Sequence, residues 1–329
     1  MIDMRFYALL REREEISVRY DPKSAAIWCY FNPSVRPCYS LTMLEEIHGL
    51  QLEIIDYFQM HHMEPKTPIR YFIVASQTPG VFNYGGDLNL FSQLIAQRDR
   101  EKLVAYGKMC IDIAYLNSCS LNLPITTISL VEGDALGGGF EAALSSNVII
   151  AEEHIKLGFP EIRFNLFPGM GAYSFLARAI GVNKTEEMIT SGELYSAREL
   201  YEQGAITVLA KPGQAQEALS KFIKSHSRVF NGMQAIKKAR ERYEPIPYSE
   251  LLDIVKIWAD AALGLEAKDL KMMQKLVQTQ SQKTARMVKT RTRQDRRISR
   301  EPIRFPFIDS EGNRVVKERR RGVDRRLSS

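Results

Sequence analysis

The stretch ITTISLVEGDALGGGFEAALSSNVIIAE, residues 125–152, decides the fold class. It opens on a continuous apolar and β-branched run, ITTISLV (125–131), and closes on another, NVIIAE (147–152). Runs of this length without polar alternation read as strands covered on both faces, the habit of parallel sheets. Between them lie a glycine loop and a short apolar helix, FEAALSS (140–146). Strand, glycine loop, helix and strand in that order make an α/β unit. Such folds carry their sites in loops at the C-terminal ends of strands. GDALGGGFE (133–141) is therefore the first place to look for chemistry.

The same order recurs upstream. YFIVAS (71–76) is another buried strand, and QTPGVFNYGGDLNLF (77–91) a loop whose Gly-Gly pair opens onto a helix. One long helical region is expected over 89–121, ending before Pro124. Residues 16–31 read as two strands with a turn at Asp21-Pro22-Lys23, and 41–58 as a helix with Leu44, Ile47, Leu50 and Ile54 on one face. From about 213 onward apolar residues recur three and four apart, as in helices. The expected organisation is an α/β core over 1–212, a helical domain over 213–282 and a basic, flexible tail over 283–329. Within that tail IRFPFID (303–309) is a candidate small ordered or docking element.

The net charge of +6 belongs to the tail. Residues 283–329 hold 16 Lys/Arg against 6 Asp/Glu, whereas the preceding 282 residues hold 29 against 33. A mildly acidic body is not a nucleic-acid-binding body. The tail has few aromatics to stack on bases. It reads as a solvated extension or as an electrostatic handle for an acidic partner. No apolar run is long enough for a membrane span. Acidic residues break up the N-terminus where a signal peptide needs an apolar core. The four cysteines form no CxxC pair and the five histidines no ligand pattern, so reduced thiols, a cytoplasmic setting and no metal or other cofactor are expected.

At the start of a helix the first backbone N–H groups have no partners within it, and the dipole makes that end partly positive. Gly138 has no side chain to keep an oxygen away from its N–H. A second donor is available in Tyr84-Gly85-Gly86-Asp87, and two such N–H groups converging on a carbonyl make an oxyanion hole. Glu141 lies within the first turn after Gly138, among apolar neighbours that raise a carboxyl pKa. Glu161, in LGFPEI, is a second carboxyl in an apolar setting. Two carboxyls beside a polarised carbonyl can move a proton at Cα and a hydroxyl at Cβ, which is hydration or dehydration of an acyl thioester. A lone glycine run is more often a packed loop, and a lone glutamate a helix-end charge. The two glycine loops and two acids together favour a site. An acyl chain would also need apolar walls, for which Phe167, Met170, Ala172, Trp258 and Leu276 are candidates beside plain core packing.

With these motifs in order, the chain resembles the crotonase (enoyl-CoA hydratase/isomerase) superfamily over about 15–210. Tyr84-Gly85-Gly86-Asp87-Leu88 is similar to its first oxyanion motif, GDALGGGFE to its second, and Pro160-Glu161-Ile162 to the motif of its second acid. The resemblance implies a spiral of ββα units, assembled as a homotrimer or hexamer. It also implies Gly86 and Gly138 as oxyanion donors, with Gly85, Leu136, Gly137 and Gly171 beside the substrate. By the same analogy Glu161 serves Cα and Glu141 the Cβ hydroxyl. PGMGAYSFLARAIG (168–181) departs from the hydratases' usual run after the second acid, as does RPCYSLTML (36–44) at the early strand–helix junction. With FNLFPGMGAYSFL and NYGGDLNLF, these departures look like the diffusible signal factor synthases. Those enzymes dehydrate a 3-hydroxyacyl chain on acyl carrier protein and release a cis-2-unsaturated acid. Acyl carrier protein, acyl-CoA and a sensor kinase regulator are the partners so implied. The alternatives are a CoA-dependent hydratase or isomerase, and a crotonase scaffold that binds and regulates a partner.

Overall fold

The structure is a computed structural model that describes residues 4–61, 68–298, 307–308 and 314–315. A short helix α1 (Met4–Leu9) precedes a hairpin of β1 (Ile16–Asp21) and β2 (Ala26–Phe31). Helix α2 (Leu41–Met60) follows, started by the Ser40 hydroxyl, which accepts from the Met43 N–H at 3.0 Å. Then come β3 (Tyr71–Ser76), β4 (Val81–Asn83), α3 (Leu88–Ala96) and α4 (Arg100–Ser118). The long helical region expected over roughly 89–121 divides into these two helices. Asp99 caps α4 by accepting from the Lys102 N–H at 3.0 Å, and that cap needs non-helical backbone between the pair. Next are β5 (Thr126–Val131), β6 (Asp134–Leu136), α5 (Gly138–Leu144), β7 (Val148–Glu152) and β8 (Lys156–Gly158). Helix α5 starts two residues earlier than expected, inside the glycine run.

After a 3₁₀ turn at Pro160–Phe164 the chain continues as α6 (Ala172–Ile180), α7 (Val182–Ser191), β9 (Leu194–Ser196), α8 (Ala197–Glu202) and β10 (Val208–Ala210). Helices α9 (Ala215–His226), α10 (Phe230–Tyr243), α11 (Tyr248–Leu263) and α12 (Ala267–Ile298) follow. The chain divides into two compact units after Ala285. Helix α12 runs through residue 283, where the change of composition led us to expect the tail to begin. Beyond Ile298 the described residues are β11 (Phe307–Ile308) and β12 (Arg314–Val315), paired antiparallel. The rest of the tail, including the remainder of IRFPFID, lies outside the described residues. Among those described, no helix is long and apolar enough to cross a membrane.

Two sheets organise the first unit. The larger has the order β1-β2-β3-β5-β7-β10, parallel from β2 onward. Its central strands β3, β5 and β7 are buried on both faces, as their unbroken apolar runs require, while the edge strands β1 and β10 are only partly covered. On β3, Phe72 and Val74 face one core, while Tyr71, Ile73 and Ala75 face another that α9 covers with Ala215 and Leu219. The smaller sheet, β4-β6-β8-β9, was not foreseen. Its β4, β6 and β8 are parallel, with Asn83 opposite Ala135 and Leu136 opposite Gly158. Each long strand is followed by a short one: β3 by β4, β5 by β6, β7 by β8. That alternation, closed by helices, is a spiral of ββα turns.

The C-terminal helices share the core of the α/β part. Trp258, Val255 and Leu251 of α11 are buried in the same cluster as Phe91 and Leu103. A bidentate ion pair of Arg178 with Glu250, at 2.8 and 2.9 Å, ties α6 to α11. The Tyr248 hydroxyl, 2.5 Å from Asp112, ties α11 to α4.

Candidate active site

The three loops that leave β4, β6 and β8 meet at one place, because those strands are parallel neighbours ending side by side. Gly86 lies three residues past β4, Gly138 two past β6, and Glu161 three past β8. The sequence reading attached the glycine loops to long buried strands. The structure hangs them on the short sheet instead.

Gly85 (φ +91°) presses against the second loop. A Cβ there would come within 2.6 Å of the Gly138 nitrogen. One on Gly138 would lie 3.3 Å from the Gly86 nitrogen and 3.6 Å from Glu141 Oε2. The two nitrogens and the Glu141 carboxyl therefore border one small space. Among the described residues, no hydrogen bond uses the N–H of Gly86 or of Gly138, although their neighbours are engaged: Gly85 donates to Asn83 Oδ1 at 2.7 Å, and Asp87 to the Tyr106 hydroxyl at 3.2 Å. Tyr106 in turn donates to the Tyr39 carbonyl at 2.5 Å. Asp87 caps α3, accepting from the N–H groups of Asn89 and Leu90. The first donor is thus held from below by Tyr106 and from ahead by a helix start. Phe91 closes over it, stacked edge-on against Tyr106 and Trp258 with centroids 4.9 and 5.0 Å away.

The Gly-Gly-Gly run divides into separate tasks. Gly137 adopts φ +53°, and a Cβ there would overlap Glu161 Oε1. Gly138 exposes its N–H. Gly139 lies so close to the Asn83 carbonyl that no side chain fits between α5 and β4.

Glu141 is only 2% exposed. Its Oε1 accepts from the Met170 N–H at 2.7 Å and the Ala172 N–H at 2.9 Å, while Oε2 is buried without a partner. Burial pushes its pKa up to about 7 against the opposing pull of the Ala172 and Met170 N–H groups. Glu161 is carried by the 3₁₀ turn, and its Oε2 is also buried without a partner. Burial, followed by the charge of Glu141, pushes its pKa up to about 8. Two acids pushed above the usual carboxyl range, facing two free N–H groups, can hold a carbonyl and pass protons beside it.

A cavity of about 80 Å³ opens at this point. Gly86, Gly137, Gly138, Glu141, Glu161, Met170, Trp258 and Leu276 all line it. The other expected substrate contacts do not. Gly85 backs Gly138, and Leu136 is a strand residue whose carbonyl faces Gly85. Phe167 packs on the core, the space beside Gly171 (φ +121°) is filled by the Phe175 ring, and Ala172 acts through its N–H on Glu141. Sequence reasoning missed Tyr106 and Phe91, although the spacing that put them on helices was readable. Among the described residues, no cluster of three His, Cys, Asp or Glu is placed to hold a metal ion.

The chain matches the enoyl-CoA hydratase/isomerase family over residues 49–244. It belongs to that family. Human mitochondrial methylglutaconyl-CoA hydratase is 31% identical over 150 residues, 46% of this chain and 42% of that one. A probable enoyl-CoA hydratase of Bacillus subtilis is 32% identical over 191 residues, covering 57% and 67% respectively. The chain therefore spans less than half the length of the mitochondrial relative. Among solved structures, enoyl-CoA hydratase from Bacillus halodurans aligns with a TM-score of 0.66 at 19% identity, covering 79% of this chain and 99% of that one. Pseudomonas aeruginosa DspI aligns with a TM-score of 0.59 at 21% identity, covering 76% and 89%. These structural likenesses speak for the hydratase/isomerase fold alone.

Proposed function

We propose that this hydratase/isomerase family member interconverts 3-hydroxyacyl and 2-enoyl thioesters. One observation carries the reading: two carboxyls with raised pKa values and bare oxygens flank two unpartnered N–H groups at the mouths of adjacent strands. The N–H groups of Gly86 and Gly138 hold the thioester oxygen and take up the charge of the enolate. In the elimination direction one carboxylate removes the Cα proton. The resulting electron pair forms the Cα–Cβ double bond as the C–O bond breaks, and the other carboxyl gives its proton to the departing hydroxyl, which leaves as water. Water addition is the reverse. Raised carboxyl pKa values let the pair carry one proton near neutral pH, the state in which one member acts as acid and the other as base. By the roles implied by the resemblance, elimination starts with Glu161 as the base and Glu141 as the acid, and water addition with the proton on Glu161.

The finer reading is that elimination on acyl carrier protein is followed by release of a 2-unsaturated acid. The runs FNLFPGMGAYSFL and NYGGDLNLF support it. Release needs water to add to the same carbonyl and the carrier thiol to leave. The test offers the purified protein matched 3-hydroxyacyl chains on CoA and on acyl carrier protein, with mass spectrometry of enoyl thioester and free acid. Glu141→Ala and Glu161→Ala should each lose dehydration, typically by 10²–10⁴-fold for a general acid or base. Full retention in both would overturn the assignment, and enoyl thioester without free acid would remove the release step alone.

A further inference from the structure

The far wall of the cavity is polar where an acyl chain would end in hydrocarbon. Along α5 the cavity passes Gly138, Glu141, Ala142 and Ser145. Seven residues separate Gly138 from Ser145, so this wall lies about 10 Å beyond the oxyanion donors at 1.5 Å per helical residue. Asn117 of α4 meets Ser145 here, its Nδ2 donating to the hydroxyls of Ser145 and Ser146 at 2.9 Å each. Gln51 of α2 meets the same helix, its Nε2 donating to the Ile113 carbonyl, one turn before Asn117, at 3.1 Å.

Asn117 spends both amide N–H groups on the protein and Gln51 one of its two, and each leaves a carbonyl oxygen over. Gln51 Oε1 and Asn117 Oδ1 are buried and unpartnered, on side chains 0% and 4% exposed, and both residues line the cavity. The Ile113 carbonyl fixes which way Gln51 points, because turning it would set oxygen against oxygen, and Ser145, whose hydroxyl already donates to the Ala142 carbonyl at 2.7 Å, calls for a donor from Asn117. The surrounding wall is apolar, with Leu44, Ile47, Phe72 and Val74. Two bare acceptors in such a wall reject a methyl end, which would leave them desolvated and unmatched. A hydrogen-bond donor at the end of the chain would meet them.

We propose that this end of the cavity is a subsite for a hydroxyl at the distal end of the acyl chain. The inference rests on the reading of the cavity as an acyl-thioester site, and sharpens the substrate class to ω-hydroxylated chains.

Binding separates the two readings. Saturated acyl amides that match N-acetylcysteamine thioesters, with nitrogen in place of sulfur, have neither a 3-hydroxyl nor a 2-double bond and resist hydrolysis, so none of the proposed steps consumes them. Calorimetry on the full chain compares plain and ω-hydroxylated members across short and medium chain lengths. At the best length the ω-hydroxylated ligand should bind at least about tenfold more tightly, as expected for one buried hydrogen bond made rather than left unmade. Gln51→Met, which keeps length and removes the acceptor, should narrow that ratio and improve binding of the plain chain. Equal or weaker binding of the hydroxylated chains by the unaltered protein, or binding of neither series, would overturn the proposal. The preference in binding without turnover of any 3-hydroxyacyl or enoyl substrate would leave the subsite standing and remove the catalytic reading.

Discussion

A carboxyl that keeps its proton near neutral pH is a liability to the fold and an asset to the chemistry. Glu161 (about 8) and Glu141 (about 7) both lie above the ordinary carboxyl value of about 4.3. The folded chain therefore binds these protons more tightly than the unfolded chain. Stability from the pair is fully present below about pH 4.3 and is lost as pH rises through 7 and 8. Glu161→Gln should accordingly be more stable than the unaltered protein at pH 9, by roughly 2–5 kcal/mol, and equally stable at pH 4. Denaturant titrations at the two pH values measure this. A gain that is the same at both would show that the charge of Glu161 is not the cause. The proposed chemistry uses the pair with one proton between its members, so kcat/KM should fall below about pH 7 and above about pH 8. Glu161→Gln should abolish the bell along with the rate. A flat profile from pH 6 to 9 would remove the shared-proton account.

At the scale of elements, what the sequence made legible follows from length. YFIVAS and NVIIAE are long enough for an unbroken apolar run to signal burial on both faces, and both are strands. VFN, DAL and KLG are three residues each, too short for any periodicity, yet they belong to the sheet from which the two glycine loops and Glu161 hang. Motif spacing found Gly86, Gly138, Glu141 and Glu161 without knowing their support. Gln51 and Asn117 gave no signal, since a polar residue on a helix reads as solvent-facing until a cavity is found beside it. Helix contacts were equally hidden. Gly107 sits where α4 meets α11, and a Cβ there would lie 2.6 Å from Val255 Cγ1. Helix propensity alone would make Gly107→Ala stabilising by about 1 kcal/mol. The close crossing predicts the opposite sign, a loss of roughly 1–3 kcal/mol from overpacking. Val255→Ala should restore part of that loss in the double variant. Thermal or denaturant unfolding of the four proteins decides, and a Gly107→Ala protein at least as stable as its parent would refute the contact.

On the scale of the whole molecule, the charge is split along the chain. Residues 286–329 hold 15 Lys/Arg against 6 Asp/Glu, while the part before them is mildly acidic. The residues that border the cavity or brace it from α12 all precede that stretch: Leu276 and Gln280 line it, and Lys283 pairs with Asp134 of β6. A chain ending at Ala285 should therefore keep its turnover of a small thioester such as an N-acetylcysteamine substrate. If the basic stretch attracts an acidic carrier, the same truncation should raise KM for acyl carrier protein substrates at low ionic strength, and the gap should close as salt screens charges beyond about 10 Å at 0.1 M. The kinetic comparison is between full and shortened chains, on both substrates, across a salt series. Equal KM values at low salt would remove the carrier-attraction role. A loss on the small thioester as well would mean that the stretch supports the catalytic unit itself.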